Sequence, residues 1–486
     1  MVRRVSAGAL LSACALAAVV ACCAAAATER RAGAARPLRA ARSRTAASVA
    51  AARVRVVTAA CPDPADCTAH VQAALDADAA DVVVVPAAEV PWQVGPLFIR
   101  RGRRTVLEPG AELLAIEGGF QGTSDCLLTI EASARNVTIN ATGATLRMRK
   151  LDYVPPRYAR GEWRMLLSVR GAVGLSVFGG TWADAGGDGM YVGDDPGSGA
   201  SASRAVLIRG VVVTGAWRNG LSVISAVGLR VEDSQFSYTN GTNPQCGVDL
   251  EPDTPAHRLQ GVAFRNVTLA GNSRCGFSMG PYALAQSGAP VDVTVAGMRI
   301  TGTAGSASSA GLPPLADRGG VGIVLSDSYN LTGRVTMADV TVAATFAEAV
   351  YLSNWPSGAL ATTFANLSIW NASYGGSAAV TPRGFGPVAP IVILPTGGTG
   401  KDENASLPAG GVHFESAAVH DGVARPWLSC MWDGTHGHPA PPSLANVTGD
   451  VAVFNPLAAP GCPADFGGHP SGVTVRVACN PPPVLG

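Results

Sequence analysis

Lysine is almost missing from this chain: of 36 basic residues only Lys150 and Lys401 are Lys, and the rest are Arg. Aromatic residues make up 6% and charged residues 15% of the 486. That scarcity, beside 58 glycines and 34 prolines, excludes a helical bundle and favours many turns. A hydrophobic share of 47% excludes a disordered chain. No CxxC pair occurs, which argues against a zinc site. There is no Gly-x-Ser-x-Gly elbow, P-loop or dinucleotide fingerprint in a strand–helix setting. The length allows two to four ordinary domains or one long repetitive one.

Formal net charge is +1, but the basic residues crowd the start. Arg3 and Arg4 precede an Ala-rich apolar run from Ala7 to Ala27, with small residues at its end. The pattern predicts a signal peptide over residues 1–27 and a secreted product; an uncleaved anchor or an organelle transit peptide are the alternatives. Residues 28–55 form a basic Ala/Arg-rich segment, read as disordered. Beyond residue 55 there are 26 basic and 34 acidic residues, a net −8. No basic stripe is left for phosphate backbones, so nucleic acid is excluded as a partner, and so is a membrane once the leader is cleaved.

Eight cysteines follow the leader, an even number that suggests disulfides in a secreted chain. Nine Asn-x-Ser/Thr sequons, at Asn136, Asn140, Asn240, Asn266, Asn330, Asn366, Asn371, Asn404 and Asn446, use nine of only fifteen asparagines. They predict N-glycosylation. Alternatively, Asn marks a turn and the following Val-Thr begins a strand, so that sequons arise as a by-product.

Two motifs repeat. The first has alternating apolar residues on both sides of a bend: Val206 to Val213 around Gly210, Val262 to Leu269 around Asn266, Val293 to Ile300 around Gly297, and Val335 to Val342 around Asp339. The second is Gly, apolar, any, apolar: Gly189 to Val192, Gly220 to Val223, Gly247 to Leu250, Gly276 to Met279, Gly322 to Leu325, with a weaker copy from Ala349 to Leu352. The spacings between these copies are 31, 27, 29, 46 and 27, the long one holding a Gly/Ser/Ala/Pro-rich insert over 302–320 that reads as a loop. Short strands recurring at 20–50 residues without helices indicate a coil of strands, an all-β parallel β-helix solenoid.

The start of the repeat adds a resemblance. An amphipathic segment, Asp66 to Leu75, is followed by a strand from Asp81 to Pro86, then by Val94 to Ile99 and Thr105 to Ala115. This order resembles the N-terminal cap and first coils of the pectin-lyase-like superfamily of right-handed parallel β-helices. The resemblance covers roughly residues 56–400 and implies a short capping helix and first coils over 56–125 and a β-helix over 126–400; residues 401–486 read as C-terminal coils with a Pro/Gly/Cys-rich cap. That superfamily contains hydrolases, lyases, epimerases and non-catalytic adhesins, so activity must come from the site.

Stacked coils put equivalent residues about 4.8 Å apart. The residue two after each motif Gly should face solvent: Tyr191, Ser222, Asp249, Ser278, Val324 and Tyr351. Positions four to six after it, including Asp194, Asp195, Glu251, Asp253, Tyr282, Asp327, Asn354 and Trp355, extend that face. With Val248 and Leu250 inward, Asp249 and Glu251 share one face. Their Cα atoms should then be ~6.5–7 Å apart, near the carboxylate separation of inverting glycosidases. Asp249 and Glu251 are therefore the candidate acid and base, with Asp253 and Asp194 supporting. Asp195, Tyr191, Arg218, His257, Arg258, Arg274 and Tyr282 are the candidate substrate-binding residues, the arginines as forks for substrate carboxylates. The segment Asp188 to Asp195, two coils earlier, supplies further carboxylates; the bland alternatives are solvated acids and ordinary surface arginines, and Asp188, Asn219 and Asp253 also suit turns.

Lyases and epimerases need a base beside a cation that stabilises an enolate. Gly247 to Glu251 only faintly resembles the Asp-Pro-His-Glu signature of mannuronan epimerases, with Leu250 and Glu251 in place of Pro and His. The residue sets typical of polygalacturonases are absent. His436 and His438 read as a loop and not a metal pair; no metal site is predicted, and no cofactor, calcium near 188–195 being the weak alternative. Trp217, Trp355 and Trp370 read as sugar platforms or fillers. The reading is a secreted, monomeric, carbohydrate-active protein whose partner is a polysaccharide, with a non-catalytic matrix protein as the other class. Cys246 and Cys275 each precede a motif Gly in successive copies, which predicts a disulfide between adjacent rungs.

Overall fold

In the computed structural model, residues 52–57, 61–303, 319–326, 331–353, 355, 359–373, 389–394, 409–430, 444–465 and 472–481 are described. The leader over 1–27, the basic segment as far as residue 51, most of the insert after Thr303, Asp327, Asn330, Asn354, Asn404, His436 and His438 lie outside them.

The chain winds as a right-handed parallel β-helix from Val54 to Cys479, every strand pair parallel. One sheet has eleven strands, from Leu97–Ile99 to Leu428–Cys430, and carries the Gly motifs. The first motif of the sequence bends the other sheet, of twenty-one strands, around a corner. Its bend residues take left-handed backbone in all four copies: Gly210 (φ 69°), Asn266 (φ 52°), Gly297 (φ 68°) and Asp339 (φ 53°). Asn and Asp tolerate that region better than other residues with a Cβ. Sequon asparagines Asn136, Asn366 and Asn446 sit at φ 57°, 55° and 57°, so the turn reading of the sequons describes this corner. Asn266 Nδ2 donates to Asp233 (3.0 Å) and Asn366 Nδ2 to Asp339 (2.8 Å), tying one rung's corner to the next.

The Gly motif has a different cause. A Cβ on Gly189, Gly220, Gly247, Gly276 or Gly322 would lie 2.6, 2.5, 2.9, 2.8 and 2.5 Å from the carbonyl oxygen of its equivalent on the next rung. Contacts below 3.0 Å require the backbone to shift. Inside the coil, Val248, Leu250, Phe277, Met279, Ile323 and Leu325 stack with no exposure, each from an alternate position as strand geometry requires.

The capping helix spans Thr68–Asp76 and buries Val71, Ala74 and Leu75. Gln72 from this helix accepts from the Phe98 N–H and donates to the Phe98 carbonyl, both at 2.9 Å. Its amide thus occupies the free backbone edge of Leu97–Ile99, where another chain would otherwise pair. Trp355, expected on the outer face, is instead fully buried, and its indole N–H donates to Thr362 (2.8 Å). An indole that large is stable in the core only with its N–H satisfied, as here.

Three disulfides form: Cys61–Cys67, Cys246–Cys275 and Cys462–Cys479. Cys126 and Cys430 remain thiols. Cys246 and Cys275 pair directly in register, with Cα atoms 4.5 Å apart. Replacing both by Ser should reduce stability in urea unfolding by about 3–4 kcal/mol, given the 29-residue separation. An unchanged midpoint would show that stacking alone holds these rungs.

Candidate active site

The register predicted for the outer column holds through six rungs: Tyr191, Ser222, Asp249, Ser278, Val324 and Tyr351 pair in succession. Its exposure does not. Ser222 and Asp249 are buried, at 1% and 3% exposure, because the turns before the motif fold over them. Asp188 and Asn219, which immediately precede Gly189 and Gly220, are fully buried and serve as ligands of the cluster rather than as simple turn residues.

Asn219 is the connector. Its amide N–H groups reach Ser222 Oγ (3.0 Å) and Asp249 Oδ2 (3.1 Å). Its backbone N–H donates to Asp188 Oδ1 (2.9 Å), and its side-chain oxygen accepts from the Cys246 N–H (3.0 Å). Ser222 Oγ donates to Asp188 Oδ2 (2.8 Å). Arg218, one residue earlier, lies across the top with its side chain 14% exposed. Its guanidinium meets Asp188 at 3.2 Å, Glu251 at 3.3 Å and Glu162 at 3.6 Å. Expected to fork a substrate carboxylate, Arg218 is occupied by three carboxylates of its own chain.

Burial pushes the Asp249 carboxyl up to about 7; the charge of Glu251 adds to this, and Arg218 opposes it. Asp188 is raised by burial against the pull of Arg218 and its hydrogen bonds. Glu251, more open with its side chain 44% exposed, is also raised by burial, with Arg218 again opposing.

A second group lies beside this one. His257 Nε2 is 3.1 Å from Asp194, and its Nδ1 accepts from the N–H groups of Asp253 (3.0 Å) and Thr254 (3.3 Å). Two donors on Nδ1 leave the proton on Nε2, directed at Asp194. His257 therefore anchors the loop that carries Asp253. Burial, then Asp194, raise Tyr191 to about 12, and the Arg170 guanidinium lies 5.5 Å from its ring. Asp195 holds its turn through backbone bonds with Ala200. Arg258 is turned onto the carbonyls of Pro255, Ala256 and His257, another guanidinium occupied by its own chain. Tyr282 begins a one-turn helix, 60% exposed. Arg274 is half-buried, its carbonyl accepting from Gly320 and Val321. Among the described residues no three His, Cys, Asp or Glu are placed to hold a metal ion.

Asn219, Ser222 and Glu162 were missed as site residues. For Asn219 a signal existed, since the residues preceding the motif Gly form their own column, Asp188, Asn219, Cys246, Cys275. Glu162 offered none: it comes from an excursion between Thr145–Arg147 and Leu167–Arg170.

Solved structures share this fold. The chain aligns with the catalytic domain of a GH87 alpha-1,3-glucanase in complex with tetrasaccharides at TM-score 0.54 and 11% identity, over 90% of this chain and 69% of that one. It aligns with the A-module of an Azotobacter vinelandii mannuronan C-5 epimerase at 0.51 and 12%, over 86% and 96%. A Yersinia enterocolitica family 28 exopolygalacturonase gives 0.51 and 13%, over 89% and 79%. At such identities the likeness establishes the parallel β-helix and nothing narrower. No family model and no curated protein matches the chain. No described helix is long and apolar enough to cross a membrane.

Removing Arg218 tests the cluster's electrostatics. Asp188, Asp249 and Glu251 bind protons more tightly folded than unfolded, so ionising them costs stability as pH rises, and Arg218 offsets that cost. Arg218→Met should therefore cost about 3–5 kcal/mol near pH 7.5 and clearly less at pH 4, where less negative charge is left for Arg218 to balance. A penalty independent of pH would contradict this.

Proposed function

We propose that the chain hydrolyses glycosidic bonds of a polysaccharide, with Asp249 as general acid and Glu251 as general base. The observation that carries this is an Asp249 carboxyl raised to about 7, two residues from an arginine-held Glu251 just past the end of its strand. A carboxyl at that level holds a proton at working pH and can deliver it to a leaving-group oxygen. Glu251 takes a proton from the water that attacks the anomeric carbon, and the glycosidic C–O bond breaks as Asp249 protonates its oxygen. The i, i+2 spacing suits this inverting geometry. Asp194 supports through His257, which holds the Asp253 loop in place. Three similar folds whose names are those of carbohydrate-active enzymes support the substrate class. The same reading has a secreted, glycosylated monomer cleaved after its leader.

The burial of Asp249 favours a second reading, a glycan-binding protein without turnover. Incubation with a polysaccharide panel, followed by reducing-end assay, separates the two. Hydrolysis should appear on at least one polymer, and Asp249→Asn or Glu251→Gln should each lower kcat by roughly 10²–10⁴-fold. Unsaturated uronide absorbance would mean a lyase instead. Full activity in Asp249→Asn would overturn the assignment.

A further inference from the structure

A cavity of about 740 Å³ opens beside the carboxylate cluster, within the ~300–1,000 Å³ range of small-ligand sites. One wall is the excursion that carries Leu151, Val154, Glu162 and Trp163; the other holds Trp217 and Thr242. Glu162 joins the two sites, since it lines the cavity and also pairs with Arg218 over Asp188 and Glu251. Trp163 is 50% exposed and Leu151 78%, apolar surface that the fold itself does not use. Trp217 is fixed: a Cβ on Gly241 would lie 2.5 Å from its indole, so only glycine lets the backbone pack there, and Lys150 stands 5.8 Å from its ring centre. Lys150 is itself buried and tied to the Ala216 carbonyl (3.3 Å) and to Asn240.

We infer that this cavity binds a neutral oligosaccharide, one sugar face against Trp163 or Trp217, leading the chain into the cluster. The inference rests on the hydrolytic reading for its direction but not for its binding. Aromatic faces accept the apolar C–H surface of a sugar. The charge disfavours a uronide: Arg218 is occupied by Asp188, Glu251 and Glu162, Lys150 is tied to the Ala216 carbonyl and Asn240, and Arg160 shares the rim with Glu162. A chain with one carboxylate per sugar would enter a site already rich in negative charge.

The test is calorimetric binding of tetrasaccharides to the full protein carrying Glu251→Gln, so that turnover does not intervene. The probes are α-1,3-, α-1,4-, β-1,3- and β-1,4-linked glucose tetramers, with tetragalacturonate and tetramannuronate. At least one neutral tetramer should bind, and adding Trp163→Ala should weaken it by tenfold or more with an unchanged Tm, since Trp163 is half exposed. Trp217→Phe, which keeps a ring, should weaken it less than Trp217→Ala. No neutral binding, tighter binding of either uronate, or indifference to Trp163→Ala would overturn the inference. Neutral binding without hydrolysis in the unsubstituted protein sustains it and removes the hydrolytic reading instead.

Discussion

One guanidinium holds the candidate site together. Arg218 meets carboxylates from three separate stretches, Glu162, Asp188 and Glu251, and Asp188 in turn binds Asn219 and Ser222, with Asn219 reaching Asp249. Buried carboxylates tolerate their loss of water only with a partner charge and hydrogen bonds. With Arg218 and Asn219 in place, Asp188 and Asp249 are satisfied while remaining shifted. Stability and chemistry thus draw on the same side chains.

The coil makes that concentration possible. Rungs stack so closely at the motif glycines that a Cβ has no room before the next carbonyl. This close approach lines up the residues on either side of the Gly, the turn column of Asp188, Asn219, Cys246 and Cys275 and the outer column of Tyr191, Ser222, Asp249 and Ser278. The disulfide sits one rung beyond Asn219 and fastens the strand of Asp249 to its successor.

What was legible in the sequence follows from this geometry. Period and register depend on backbone repeats, so the columns, the bends at Gly210, Asn266, Gly297 and Asp339, and the Cys246–Cys275 pairing could be read directly. Burial could not. Asp249 looked solvent-facing because alternation says only that it points away from the core, and not that it is buried with the Asn219 amide on it. Trp355 followed the same column logic and failed because it lies beyond the strand Val350–Ser353, where alternation no longer sets which way a side chain points. Glu162 and the Trp163 wall come from a non-repeating excursion, whose docking no period encodes.

Burial above all, with the charge of the neighbouring Glu251 adding to it, keeps Asp249 protonated near neutral pH. Carbon-13 NMR titration of the Asp249 carboxyl, assigned by its loss in Asp249→Asn, measures it directly. The account predicts an apparent pKa near 7 that falls in Glu251→Gln, where the like charge is gone. A titration near 4, unmoved by Glu251→Gln, would contradict it.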